Sequence, residues 1–116
     1  ELDLMLGDIH RRRMAAEEAM NLKKQAEETR GLAMASYQTF VMSHAPSAEY
    51  PANKMTPAEL TNLERAYSSL LPLMAAAGKE HSPDVLKYGE DYLALFPDGK
   101  HKTEIQNAMN QARAQQ

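Results

Sequence analysis

Apolar residues along this 116-residue chain recur mainly three and four positions apart, which is the period of an α-helix. The clearest helix start is Thr56-Pro57-Ala58-Glu59, a capping-box sequence with proline at the first helical position. The apolar positions that follow form one predicted buried stripe: Leu60, Leu63, Tyr67, Leu70, Leu71, Met74 and Ala77. Pro72 interrupts this pattern, which predicts a kink near Ser68 and Ser69 or an early helix end.

The segment 3–43 predicts one long first helix, because it lacks proline and is rich in Ala, Met, Glu, Lys and Arg. Gly7 and Gly31 are its weak points, since glycine costs about 1 kcal/mol relative to alanine inside a helix. Residues 45–57 contain Pro46, Pro51 and Pro57, so we expect a connecting loop there.

Two further helices are predicted after Gly78, which is placed to end the preceding one. Ser82-Pro83-Asp84 begins the third helix, and the run Tyr92 to Gly99, which contains Pro97 and Asp98, forms an elbow before the last. The last helix has an apolar face at Ile105, Ala108, Met109 and Ala112. The prediction is an all-α single domain, residues 1–116, of about four helices with a long first helix, packed as a bundle or as stacked helical hairpins.

The net charge and the amino-acid composition limit the classes of function that we expect for this chain. The formal net charge of −3 argues against a dedicated nucleic-acid binder, and no apolar run approaches the roughly 20 residues of a membrane span. Cysteine is absent and the four histidines lack the spacing of ligands on one helix face, so we expect no metal site and no cofactor. The eight methionines indicate adaptable core packing, with a methionine-lined peptide groove as the functional alternative.

The strongest charge feature is Arg11-Arg12-Arg13, which we interpret as a basic spot facing a partner. Arg13 and Lys24 are eleven residues apart and would share one face of a continuous helix. This pair resembles the first helix of the all-helical chorismate mutases, where an Arg and a Lys hold the carboxylates and ether oxygen of the substrate. That resemblance implies, as the alternative function, a small helical enzyme that binds an anionic substrate through Arg13 and Lys24.

A second resemblance lies in the segment Tyr88-Gly89-Glu90-Asp91-Tyr92-Leu93-Ala94-Leu95-Phe96-Pro97-Asp98-Gly99-Lys100, followed by Glu104, Ile105 and Ala108. It resembles tetratricopeptide-type repeats, especially those of bacterial envelope proteins, although Gly89 stands where such repeats usually have a large aromatic residue. The resemblance implies helical hairpins that stack and present a groove to a protein partner.

The favoured function is therefore a non-enzymatic protein-interaction or scaffold domain of a bacterial envelope or secretion assembly, with a periplasmic or envelope-associated location preferred over the cytoplasm. Its partner is another protein, or a second copy that associates through the long first helix. Tyr88 and Tyr92 would anchor the partner, and Arg11, Arg12 and Arg13 would orient it.

Overall fold

The computed structural model describes residues 2–115, and these residues form α-helices and connecting turns without a β-strand. Two short 3-10 turns occur at Ala52–Lys54 and Lys79–His81. The all-α prediction is confirmed. The helices of the described range are α1 (Leu2–Ala19), α2 (Lys23–His44), α3 (Pro57–Ala77), α4 (Ser82–Leu95) and α5 (Lys102–Gln115).

The segment predicted as one long helix is helical over most of its length, but a turn at Asn21 divides it into α1 and α2. Asn21 has a left-handed backbone, with φ of 61°. The Leu22 N–H donates to the Glu17 carbonyl at 2.8 Å and the Asn21 N–H donates to the Glu18 carbonyl at 3.0 Å. This pair of bonds is a Schellman motif, in which asparagine replaces the more usual glycine.

Helices α1 and α2 run antiparallel and pack closely. Close to the turn, Arg30 contacts Glu18 at 3.3 Å, and farther along the pair Tyr37 contacts Asp8. Gly7 lies on the buried side of α1, where an added Cβ atom would be 2.6 Å from the Tyr37 ring. The glycine that the sequence marked as a weak point is therefore the position that lets the two helices approach.

Helix α3 is the centre of the fold, because it packs against α2, α4 and α5. Its predicted capping box is present: the Glu59 N–H donates to the Thr56 hydroxyl at 3.1 Å, and the Thr56 N–H donates to the Glu59 carboxylate at 2.8 Å. The helix continues through Pro72 to Ala77, so the early end is not observed. Side chains of α3 with no more than 1% exposure are Leu63, Ala66, Tyr67, Leu70, Leu71, Met74 and Ala75.

The predicted elbow joins α4 to α5. The Gly99 N–H donates to the Phe96 carbonyl at 3.0 Å, and α5 starts three residues later. The predicted apolar face of α5 is buried. Gly89 is also buried, and a Cβ atom there would overlap the sulfur of Met109, so the absence of a side chain lets α4 and α5 pack closely.

Candidate interaction surface

A polar cluster joins α1 to α2 and α3. The Tyr37 hydroxyl donates to one oxygen of Asp8 at 2.5 Å, and the Arg65 guanidinium donates to the other at 2.6 Å. The Arg11 guanidinium lies 3.9 Å from the same carboxylate and donates to the Ser69 hydroxyl at 3.3 Å. These contacts fix which side of α1 faces the core.

The ionisation states of Asp8 and Tyr37 fit the hydrogen bonds of this cluster. Partial burial acts to raise the pKa of Asp8, but the hydrogen bonds from Tyr37 and Arg65 and the positive charges of Arg65 and Arg11 outweigh it, so this pKa is lowered. Burial and the bond to Asp8 raise the pKa of Tyr37 to about 12. Asp8 is therefore the ionised acceptor at neutral pH, and the Tyr37 hydroxyl is a protonated donor.

The three arginines predicted to orient a partner point in different directions. Arg11 turns toward the cluster and bonds Ser69. Arg13 lies 3.8 Å from Glu17, with 57% of its side chain exposed. Arg12 is exposed and makes no ion pair with a described residue. Arg12 and Arg13 thus remain accessible to a partner, whereas Arg11 makes its contacts within the fold.

Helix α1 carries a second apolar face, opposite the one that packs on α2. Leu4, Gly7 and Met14 are buried. Residues on the far side of the helix and in the turn just after it are exposed: Leu2 (66%), Met5 (58%), Ile9 (47%) and Ala16 on α1, and Met20 (69%) in the turn. We call these five residues the α1 outer face. At about 100° per residue, Arg12 and Arg13 project to either side of it. The sequence shows apolar residues on both sides of α1, but only the position of α2 shows which side is buried.

Of the two tyrosines predicted to anchor a partner, Tyr92 is enclosed by the fold. Tyr92 has 0% exposure, and its hydroxyl donates to Glu64 at 2.7 Å and accepts from the His101 N–H at 3.2 Å. Burial and the Glu64 carboxylate raise the pKa of Tyr92. An exposed Tyr92 anchor is therefore wrong: the side chain joins α3, α4 and the elbow, and it has no surface to offer a partner.

Tyr88 is half-buried. It packs against Tyr67 with ring centroids 6.4 Å apart, and its hydroxyl accepts a bond from Gln38 at 3.2 Å. The ammonium group of Lys87 lies 5.7 Å from its ring centroid. Part of Tyr88 is accessible, but its hydroxyl already bridges α4 to α2.

Arg13 and Lys24 do not share a helix, because the turn at Asn21 lies between them. Both side chains are exposed. A spacing of eleven residues places two side chains on one face only within a continuous helix, and the turn interrupts the helix here. The spacing of Arg13 and Lys24 therefore does not bring them together as a site for an anionic substrate.

A groove of about 570 Å³ lies between α2 and the carboxyl end of α3. Met34 is the one methionine that lines it, and Met14, Met34, Met55, Met74 and Met109 are buried in the core. The groove is thus not methionine-lined, and these five methionines fill the interior. Its lining residues are Glu27, Arg30, Gly31, Met34, Ala35, Gln38, Ala76, Ala77 and His81.

Within residues 2–115, no group of three or more His, Cys, Asp or Glu side chains converges in a way that could hold a metal ion. Over the same range, no helix is long and apolar enough to cross a membrane. No protein-family model, curated protein or solved structure matches the chain.

Proposed function

We propose that this chain is a non-enzymatic protein-interaction domain and that the α1 outer face is its docking surface. Helix α1 is 18 residues long, so the face extends about 27 Å. A face of that length can pack against the apolar side of one partner helix that lies along α1.

The observation that carries this proposal is the exposure of Leu2, Met5 and Ile9 on one side of a helix whose other side is already packed, with Met20 exposed just after its end. Single exposed apolar residues are normal on a protein surface, whereas a contiguous row on one element is typical of an interaction site. The polar cluster at Asp8 supports the same assignment, because it holds α1 in the rotation that leaves this row outward.

The charges beside the face favour a partner that carries acidic residues. Arg12 and Arg13 flank its middle, and Arg12 makes no ion pair with a described residue. Two copies of α1 packed antiparallel over their full length would place their Arg12 side chains only about 4.5 Å apart along the helix axis, and like charges at a contact are unfavourable. A different protein with carboxylates opposite Arg12 and Arg13 is therefore the better complement than a second copy.

The proposal also includes the kind of assembly in which this domain works. The resemblance of the α4 to α5 segment to tetratricopeptide-type repeats supports a scaffold in a bacterial envelope or secretion assembly. The α4–α5 pair is a helical hairpin joined by a short elbow, as such repeats require.

A photo-crosslinking amino acid placed at Met5 in cells of the source organism would test the docking surface. We expect covalent capture of one protein of defined mass. The matched control has the same amino acid at Leu32, which lies on α2 with an exposure of 47%, equal to that of Ile9. We expect no comparable product from position 32. Equal products from both positions would contradict the proposal, and products containing only this chain would instead establish self-association.

With the captured protein purified, Ile9→Glu and Leu32→Glu provide the quantitative comparison. Both side chains are equally exposed, so both variants should keep the fold. We expect Ile9→Glu to weaken binding by about tenfold or more and Leu32→Glu to change it by less than about twofold, measured by titration calorimetry. Equal effects of the two variants would contradict docking through α1.

A further inference from the structure

A small cavity of about 300 Å³ lies on another part of the molecule, between the carboxyl ends of α2 and α4. Ala45 and Pro46 line it just after α2, and Ala94 and Leu95 line it in the last turn of α4. Its remaining lining residues are Tyr67 from α3 and Asp91 from α4. The lining residues are therefore largely apolar, with one tyrosine and one aspartate among them.

Tyr67 is the unusual member of this cavity. Its residue surface is 99% buried, with only 1% exposed, yet its hydroxyl makes no hydrogen bond to a described residue. Its ring is fixed by Tyr88 and Tyr92, with centroids 6.4 Å and 6.0 Å away. The Tyr67 hydroxyl is not one of the fully enclosed polar atoms that lack a partner among the described residues, so it keeps contact with solvent. Since Tyr67 lines the cavity, a ligand bound there can reach this hydroxyl.

The electrostatics of the cavity favour a cation. Asp91 is exposed and makes no ion pair in the part of the chain that the structure describes. Lys87, one helical turn earlier, lies over the Tyr88 ring rather than on this carboxylate. Burial and the charge of Asp91 raise the pKa of Tyr67, so its hydroxyl stays protonated and neutral. Two helix carboxyl ends add partial negative charge at the same place.

We propose that this cavity binds the cationic side chain of an arginine or lysine from a protein partner. The aliphatic stem would lie against Pro46, Ala94 and Leu95, and the charged group would donate to the Asp91 carboxylate and the Tyr67 hydroxyl. Side chains of this kind combine an apolar stem with a charged head, as the cavity walls require. The site shares no residue with the α1 outer face, so either proposal can fail without the other.

The test is a titration of the isotope-labelled chain, followed by NMR, with Nα-acetyl-arginine amide and Nα-acetyl-lysine amide as probes. We expect saturable shifts of the Ala45, Asp91, Ala94 and Leu95 amides with at least one of them. The neutral citrulline analogue has nearly the same shape as the arginine probe but no charge. We expect it to bind about tenfold more weakly. Equal binding of the citrulline analogue, or the absence of saturable shifts with both cations, would overturn the proposal.

Two variants locate the site. Asp91→Asn should weaken binding of the preferred probe by about tenfold, and Tyr67→Phe by roughly threefold, because the first removes the charge and the second only the hydroxyl. Glu90→Gln is the matched control, since Glu90 is a neighbouring exposed acid on α4 that does not line the cavity. It should change binding by less than about twofold. A loss with Glu90→Gln as large as with Asp91→Asn would mean diffuse attraction to α4 and would overturn the site.

Discussion

At the level of single residues, Asp8 has a structural role outside the apolar core. Its carboxylate accepts from Tyr37 on α2 at 2.5 Å and from Arg65 on α3 at 2.6 Å, so one side chain links three helices. We expect Asp8→Asn to lower the free energy of unfolding by about 2 kcal/mol, because it removes charge-assisted hydrogen bonds. Urea denaturation at neutral pH measures this, and Asp98→Asn, in the exposed elbow, should change it by less than about 0.5 kcal/mol.

The same residue predicts a direction of pH dependence. The folded-state pKa of Asp8 lies below its ordinary value of 3.8, so its contribution is fully present above that value and is lost as the pH falls through the folded-state pKa. The stability difference between the native chain and Asp8→Asn should therefore be constant near neutrality and shrink in acid. A difference that grew on acidification would contradict the assigned ionisation.

At the level of helices, the turn at Asn21 decides the arrangement of α1 and α2. Its left-handed backbone disfavours residues with an ordinary Cβ, and asparagine tolerates it better than most. We expect Asn21→Ala to lower the free energy of unfolding by about 1 kcal/mol and Asn21→Gly to leave it unchanged or higher. Thermal unfolding followed by circular dichroism measures both.

A second asparagine provides the control for this turn. Asn107 is exposed inside α5, where alanine is a better helix former. Asn107→Ala should leave the stability unchanged or raise it slightly. If both alanine variants behave alike, the cost does not come from the left-handed backbone at Asn21.

At the scale of the whole molecule, α3 contacts both helical hairpins, so we expect them to unfold as one cooperative unit. It packs on α2 from one hairpin and on both α4 and α5 from the other. Leu70 has 0% exposure, so Leu70→Ala should lower the free energy of unfolding by about 2 to 5 kcal/mol through lost burial and a cavity. Hydrogen exchange should show amide protection falling in α2 and α5 together.

The control for this prediction is Leu32→Ala. Leu32 is 47% exposed, so its truncation should cost less than about 0.5 kcal/mol. If Leu70→Ala lowered protection in α4 and α5 while α1 and α2 kept theirs, the hairpins would be separate folding units.

The sequence by itself determined the helices and several of their ends. Helical periodicity, the Thr56 capping box, Gly78 and the Pro97 elbow act over a few neighbouring residues, so they can be recognised without the fold. Local sequence does not predict the division at Asn21, because asparagine is a weaker helix-ending signal than glycine or proline and the surrounding residues are good helix formers.

Only the tertiary structure decided which apolar residues are covered. Tyr92 and Ile9 both lie on apolar helix faces, yet Tyr92 is buried among α3, α4 and the elbow while Ile9 is exposed on α1. The Asp8 cluster and the cavity at Tyr67 likewise join residues far apart in the chain. Such contacts depend on how helices pack against one another, and a periodic pattern shows that a face exists without showing what lies against it.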